Sequence, residues 1–201
     1  MPLKASLKRL KVYETIKKLA LSVLMSVISM SPAFADHHGK PSVRTSTLKE
    51  FRELCGLLEG RWSSDIVWIN EWPGANAVRG ETVRGHSKIT RILDGAALEM
   101  KSMQGTEESA WRLYYHPATS QIRSLYLTSG GMVGHGTLFK ISDTEYGEKV
   151  DGAQKGGGVI TGDIKWVFSN DRRSFMLKSK NIKLDGKPLG ELKDLYKKVS
   201  P

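Results

Sequence analysis

The chain has 201 residues, a single cysteine and a formal net charge of +10. One thiol excludes an internal disulfide, so a packed core has to stabilise the fold. The basic residues are scattered along the chain instead of clustering with aromatic residues, which argues against a nucleic-acid-binding protein.

Residues 1–35 have the pattern of an export signal. Six Lys and Arg residues precede an apolar run from Leu19 to Met30, and Ala33-Phe34-Ala35 supplies a small-x-small cleavage pattern. The run is shorter than the roughly 20 apolar residues that a membrane span needs. We therefore expect cleavage near Ala35, no stable membrane insertion and a periplasmic or secreted protein, with an uncleaved anchor as the alternative. Cleavage would leave 25 basic and 20 acidic residues, an ordinary net charge of +5.

Residues 36–46 are polar and are predicted to form a disordered tether, which leaves residues 47–201 as the folded domain. Thr47-Leu-Lys-Glu50 has the form of a capping box, which predicts a helix start. Apolar residues then recur at helical spacing, at Leu48, Phe51, Leu54, Cys55 and Leu58. The sequence predicts one helix of about three turns, with Cys55 as a small buried residue on its apolar face.

From Trp62 onward the hydrophobic period changes to two, and strand-like segments follow one another at intervals of about ten residues. Turn pairs such as Asp94-Gly95 and Asp185-Gly186 separate them. Short connections make consecutive strands antiparallel neighbours, and closure into a barrel removes both exposed sheet edges. We predict an all-β, up-and-down barrel of about ten strands behind a short N-terminal helix. The last segment, Glu191 to Val199, also fits a short helix, but a strand is favoured as the closing partner.

The helix followed by Gly60-Arg61-Trp62 resembles the start of the calycin superfamily, the lipocalins and fatty-acid-binding proteins. The chain from about Leu48 to Val199 is also similar to the bacterial family called domain of unknown function 1579. That similarity rests on Leu58 to Trp62, on Leu93-Asp94-Gly95, on Tyr115 to Thr119 and on a basic closing strand. The resemblance implies a lipocalin-like barrel in which a basic residue of the last strand, Lys197 or Lys198, packs across Trp62.

Alternation along the strands predicts which side chains face the lumen. If Trp62 points inward, the side chains at every second position of the first strand and the apolar alternating positions of the other strands also point inward; we call this the parity prediction. The predicted lumen residues are Ser64, Ile66, Trp68, Leu98, Met100, Trp111, Leu113, Tyr115, Leu125, Leu127, Ile160, Ile164, Trp166, Phe175 and Leu177. Such a lining is typical of a cavity for a small apolar molecule. A fully packed core is the equal alternative.

Catalytic and metal-binding patterns are weak. His86, His116 and His135 lack partners at metal-ligand spacing, so no metal and no cofactor is predicted. His135 is the one candidate for catalysis, because Gly134 and Gly136 on either side would let another group approach the strand closely. Acid–base chemistry would need a carboxylate in the lumen, and the strand candidates are Glu81, Glu99 and Asp163. Alternation along the strands places Glu99 and Asp163 on the outside.

Three functions follow as hypotheses. The first is an exported barrel that holds a small apolar molecule in its lumen. The second is an isomerase or hydrolase of lipocalin-like fold that combines His135 with an inward carboxylate. The third is an adaptor of the cell envelope, suggested by an exposed Trp72 beside Pro73-Gly74.

Overall fold

The computed structural model describes residues 44–72, 76 and 78–199, so the predicted leader and residues 36–43 of the predicted tether lie outside the described residues. One α-helix, α1 (Leu48–Leu58), precedes twelve strands in this part of the chain. The strands are β1 (Gly60–Val67), β2 (Thr82–Ile92), β3 (Ala97–Gln104), β4 (Glu107–His116), β5 (Gln121–Thr128), β6 (Val133–Lys140), β7 (Glu145–Ala153), β8 (Val159–Phe168), β9 (Ser174–Ser179), β10 (Lys183–Leu184), β11 (Lys187–Pro188) and β12 (Leu192–Val199). Within the described ranges, no helix is long and apolar enough to cross a lipid bilayer.

The helix forms where the sequence predicted it. The Thr47 hydroxyl accepts the backbone N–H of Glu50 at 3.1 Å, and the Glu50 carboxylate accepts the backbone N–H of Thr47 at 2.6 Å. These two bonds are the predicted capping box and satisfy backbone groups that would otherwise lack partners. Cys55 is buried, and that burial raises the pKa of its thiol to about 11. The helix therefore offers a packing face and no reactive thiolate.

The residues just before α1 are attached to the barrel. Ser46, which the sequence assigned to the tether, is buried. Its N–H donates to the Ser120 carbonyl at 2.7 Å and its hydroxyl donates to the Leu138 carbonyl at 3.1 Å. The Arg44 guanidinium lies 4.3 Å from the centre of the Phe139 ring, a cation–π contact. These bonds fix the direction in which the chain enters the helix.

Ten of the strands close into an antiparallel barrel, as the sequence predicted. Strands β1 to β9 pair in chain order, and β12 lies between β9 and β1. The final segment is thus a strand, with Tyr196 opposite Ser64 on one side and Phe175 on the other. The short β10–β11 hairpin stands outside the ring and pairs with the first half of β8. Closure gives every barrel strand two neighbours and leaves no long exposed edge.

One half of the barrel, around α1 and Trp62, is filled; we call it the helix end. Phe51, Leu54 and Leu58 of α1 pack there against fully buried residues of the strands, namely Leu98, Leu113, Ile122, Leu138 and Tyr146. The Trp62 indole N–H donates to the Leu58 carbonyl at 2.7 Å, which ties the last turn of the helix to β1. This half of the lumen is a packed core.

The Gly60-x-Trp62 pattern has a direct structural explanation. Gly60 adopts a φ of +137°, and a Cβ at this position would lie 2.7 Å from Cε of Lys198. The missing side chain lets Lys198 cross the strand, and its ammonium lies 5.3 Å from the centre of the Trp62 ring. Of the two lysines that the resemblance offered, the structure places Lys198 over the indole, whereas Lys197 is exposed.

On β5 the side-chain direction is opposite to the parity prediction. Ile122, Ser124 and Tyr126 face the lumen, so Leu125 and Leu127 face outward, and Leu127 is 41% exposed. The error has a simple cause. This strand carries apolar residues at both odd and even positions, so hydrophobicity alone does not identify its inner face.

Candidate functional site

The half of the barrel remote from α1 contains a cavity of about 220 Å³. We call this half the cavity end. Eight of the predicted lumen residues line the cavity: Ile66, Trp68, Met100, Trp111, Ile160, Ile164, Trp166 and Leu177. The filled core and the cavity that the sequence left as alternatives therefore coexist, one at each end of the same barrel.

An aromatic column connects the two ends. The Trp62 ring meets the Phe175 ring edge-on at 4.9 Å between centroids, and Phe175 stacks on Trp166 at 5.6 Å. Trp166 in turn stacks on Trp111 at 4.7 Å. Each such contact contributes about 0.5–1.5 kcal/mol beyond simple burial. Because Trp111 and Trp166 are held by this column, the aromatic wall of the cavity is preformed.

Glycines on the inner face of β6 and β7 make room inside the barrel. Gly134 and Gly136 alternate inward along β6, and Gly152 of β7 is the partner of Gly134. A Cβ on Gly136 would overlap the side chains of Ser124 and Glu148. The close approach that the sequence predicted beside His135 therefore exists, and the approaching groups are Ser124 and Glu148.

Glu148 is the most unusual residue of the cavity wall. It is 4% exposed, and its two carboxyl oxygens accept hydrogen bonds from the Ser124 hydroxyl at 2.6 Å and the Trp166 indole N–H at 2.9 Å. Both bonds favour the ionised form, but burial outweighs them and raises the pKa of Glu148 to about 7. The carboxyl thus lies near the midpoint of its titration at neutral pH.

Asp194 is a second buried carboxyl in the same wall. It is 7% exposed, and its Oδ1 accepts the backbone N–H of Val67 at 3.0 Å, just past the last β1–β12 residue pair. Burial raises the pKa of Asp194 to about 7, against the lowering effect of that one backbone bond.

Glu107, 3% exposed, is the third acidic residue that lines the cavity. Burial raises the pKa of its carboxyl, and the Thr128 hydroxyl offsets only part of the effect. Burial also raises the pKa values of two phenols in the wall, Tyr126 near Glu107 and Tyr196 near Asp194. No Lys or Arg is among the described residues that line the cavity.

The remaining predicted site residues lie elsewhere. Leu113, Tyr115 and Phe175 belong to the core or pack against it, and Ser64 is a buried residue of β1 outside the cavity wall. Leu127 lies on the outer surface.

His135 is exposed on the outward face of β6 and reaches only the rim of the cavity, beside Asp151. Trp72 is half-buried and packs against Ile69, Ile160 and Ile182 at the cavity mouth. This position removes the exposed indole on which the adaptor hypothesis depended.

The three carboxylates that the sequence suggested for acid–base chemistry all lie outside the lumen. Glu99 pairs with the Arg112 guanidinium at 2.8 Å, Asp163 accepts a hydrogen bond from the Asn181 amide at 2.7 Å, and Glu81 is exposed. Parity did contain the correct signal, because Glu107 shares odd positions with Trp111, and Asp194 shares even positions with Tyr196. The alternation of buried positions on β4 and β12 thus indicates an inward direction for both carboxyls.

The part of the chain that the structure describes contains no group of three or more His, Cys, Asp and Glu side chains able to hold a metal ion. No protein-family model and no curated protein matches this chain.

Proposed function

We propose that this chain is an exported, calycin-like container that binds a small apolar molecule at the cavity end of its barrel. The observation that carries the proposal is the cavity of about 220 Å³, walled by tryptophans and aliphatic side chains, next to a helix end that is fully packed. Its volume lies below the 300–1,000 Å³ typical of pockets for drug-sized ligands, so the ligand we expect is a single-ring molecule or a short chain. The leader pattern supports export.

The test is direct binding of neutral single-ring compounds, measured by ligand-observed NMR with the mature protein. Ile164→Phe should fill part of the cavity and weaken binding about tenfold or more, since each 1.4 kcal/mol of binding free energy is tenfold. Leu127→Phe adds a similar group on the outer surface and is the matched control. Absence of saturable binding to the wild-type protein, or equal binding by both variants, would contradict the proposal.

A small-molecule isomerase or hydrolase is the second candidate. The specific observation that favours it is the presence of Glu148 and Asp194, two buried carboxyls with pKa values of about 7, in the wall of one cavity. Groups that exchange protons near neutral pH are suited to general acid–base catalysis. Turnover on a metabolite panel that is lost in Glu148→Gln and kept in His135→Ala would support it. Turnover lost only in His135→Ala would contradict this assignment.

A further inference from the structure

Resting on the proposed function, we propose that the natural ligand is a small organic amine bound in its protonated form, with its ammonium group directed at the acidic wall of the cavity. The geometry that points to this class is the convergence of Glu107, Glu148 and Asp194 on one cavity whose described lining contains no Lys or Arg. A ligand is selected both by the contacts it gains and by the repulsion it avoids.

The acidic wall disfavours binding of ligands that contain a carboxylate. An anionic ligand would enter a largely apolar space already lined by three acidic residues, with no described cationic side chain to neutralise it. Burial of an unpaired charge is among the most costly events in protein energetics. Fatty-acid-like molecules are therefore poor candidates, although the aliphatic part of the wall would suit their chains.

A cationic ligand would form favourable charge-assisted hydrogen bonds with the same wall. The three acidic residues come from different strands, β4, β7 and β12. A carboxylate has about four acceptor positions; Glu148 accepts two hydrogen bonds, and Asp194 accepts one from the backbone N–H of Val67. An ammonium group carries three donors and no acceptor, so it matches acceptor-only oxygens. Charge-assisted bonds of this kind are roughly twice as strong as neutral ones.

The aromatic lining adds a second attraction. Trp68, Trp111 and Tyr126 line the cavity together with the carboxyls. Cations are attracted to the faces of such rings, and the attraction grows when water is excluded. The cavity volume of about 220 Å³ then favours one ring with a short amino chain over a larger amphiphile.

Protonation of the wall gives the binding a definite pH dependence. The titratable groups that face the cavity are Glu107, Tyr126, Glu148, Asp194 and Tyr196, with His135 and Asp151 at the rim. Burial raises the pKa values of Glu148 and Asp194 to about 7. A simple alkylamine stays protonated well above that pH, so its affinity should rise as the carboxyls ionise between pH 6 and 8. A neutral analogue should lack this rise.

The experiment compares three compounds of similar size by isothermal titration calorimetry with the mature protein at pH 8: phenethylamine, 2-phenylethanol and phenylacetate. We expect the amine to bind at least tenfold more tightly than the alcohol, and the acid to bind most weakly. Equal or tighter binding of the alcohol, or preference for the acid, would overturn the amine assignment while supporting the apolar container. Failure of all three to bind would overturn the container and the amine assignment together.

Variants of the acidic residues show which carboxyls contribute to amine binding. Asp194→Asn and Glu107→Gln each remove one charge and should weaken phenethylamine binding about tenfold or more. Binding of 2-phenylethanol should stay within a factor of about three, which shows that the cavity remains folded. Glu99→Gln, on the outer face beside Arg112, is the control and should bind the amine like the wild type. Amine affinity unchanged in both cavity variants would contradict the inference.

Discussion

Glu148→Gln should change how the stability of this protein depends on pH. Burial in the folded protein raises the pKa of Glu148 from 4.5 to about 7. Each pKa unit corresponds to 1.36 kcal/mol of free-energy difference between the two protonation states. The shift of about 2.5 units is therefore equivalent to about 3 kcal/mol. Because Glu148 is 4% exposed, solvent screening reduces this value little.

The direction follows from proton binding. Between about pH 4.5 and 7 the folded protein keeps the Glu148 proton while the unfolded chain has released it, so the free energy of unfolding falls as pH rises through this window. Above pH 7 both states are ionised and the decrease ends. Asp194, whose pKa also rises to about 7, acts in the same direction. The wild-type protein should therefore be less stable at pH 8 than at pH 5 through these two groups.

Urea unfolding at pH 5 and pH 8, followed by far-UV circular dichroism, measures the effect. Glutamine cannot ionise, so the variant should lose about 2–3 kcal/mol less than the wild type between the two pH values. Its amide faces the Trp166 N–H and costs about 1–3 kcal/mol, but this cost is the same at both pH values and does not affect the comparison. Glu99→Gln is the control, since Arg112 lowers the pKa of Glu99 and keeps it ionised throughout. Parallel pH profiles for wild type and Glu148→Gln would refute the reasoning.

Three further predictions test other parts of the fold. Gly136→Ala places a methyl group against Glu148 and should cost about 1–3 kcal/mol in urea unfolding by displacing its hydrogen bond; wild-type stability would contradict this. Lys198→Met keeps an apolar chain over the indole but removes the ammonium, so it should cost about 0.5–1 kcal/mol, whereas exposed Lys197→Met should cost nothing measurable, and equal effects would argue against the contact. Cys55, with a pKa of about 11, should react with a thiol reagent at pH 8 only after unfolding, and rapid labelling of the native protein would show that the helix does not cover it.

Most of the fold was predictable because its signals are local. The capping box at Thr47 and Glu50 sets the start of the helix. Alternation from Trp62 onward and the turn pairs define consecutive antiparallel strands. Closure by the last strand required a global argument, the removal of exposed edges, and Leu192–Val199 takes that position. What local patterns did not define was side-chain direction on β5, where Leu125 and Leu127 outnumber the inward Ile122 among aliphatic residues.

The cavity wall was predictable only in its apolar part. Strand carboxylates usually face water, so Glu107 and Asp194 were not assigned to the lumen despite sharing parity with buried aromatic residues. Glu148 lies beside two inward glycines of the neighbouring strand β6, Gly134 and Gly136, and the sequence shows this space only as an excess of glycine. Whether such space is empty depends on how side chains from several strands meet. Sequence periodicity gives a side chain's face and says nothing about volume.

The acidic wall is costly to the fold, and this cost bears on function. At pH 8 the raised pKa values of Glu148 and Asp194 correspond to about 3 and 4 kcal/mol of lost stability, against a total of about 5–15 kcal/mol for a typical domain. A container that held only apolar molecules would not need an ionisable group at either position. The packed helix end buries the large apolar side chains that stabilise the barrel. Since protein stability is commonly sacrificed where a site needs unfavourable groups, a buried pair of carboxyls is better explained by a ligand whose positive charge removes the penalty on binding.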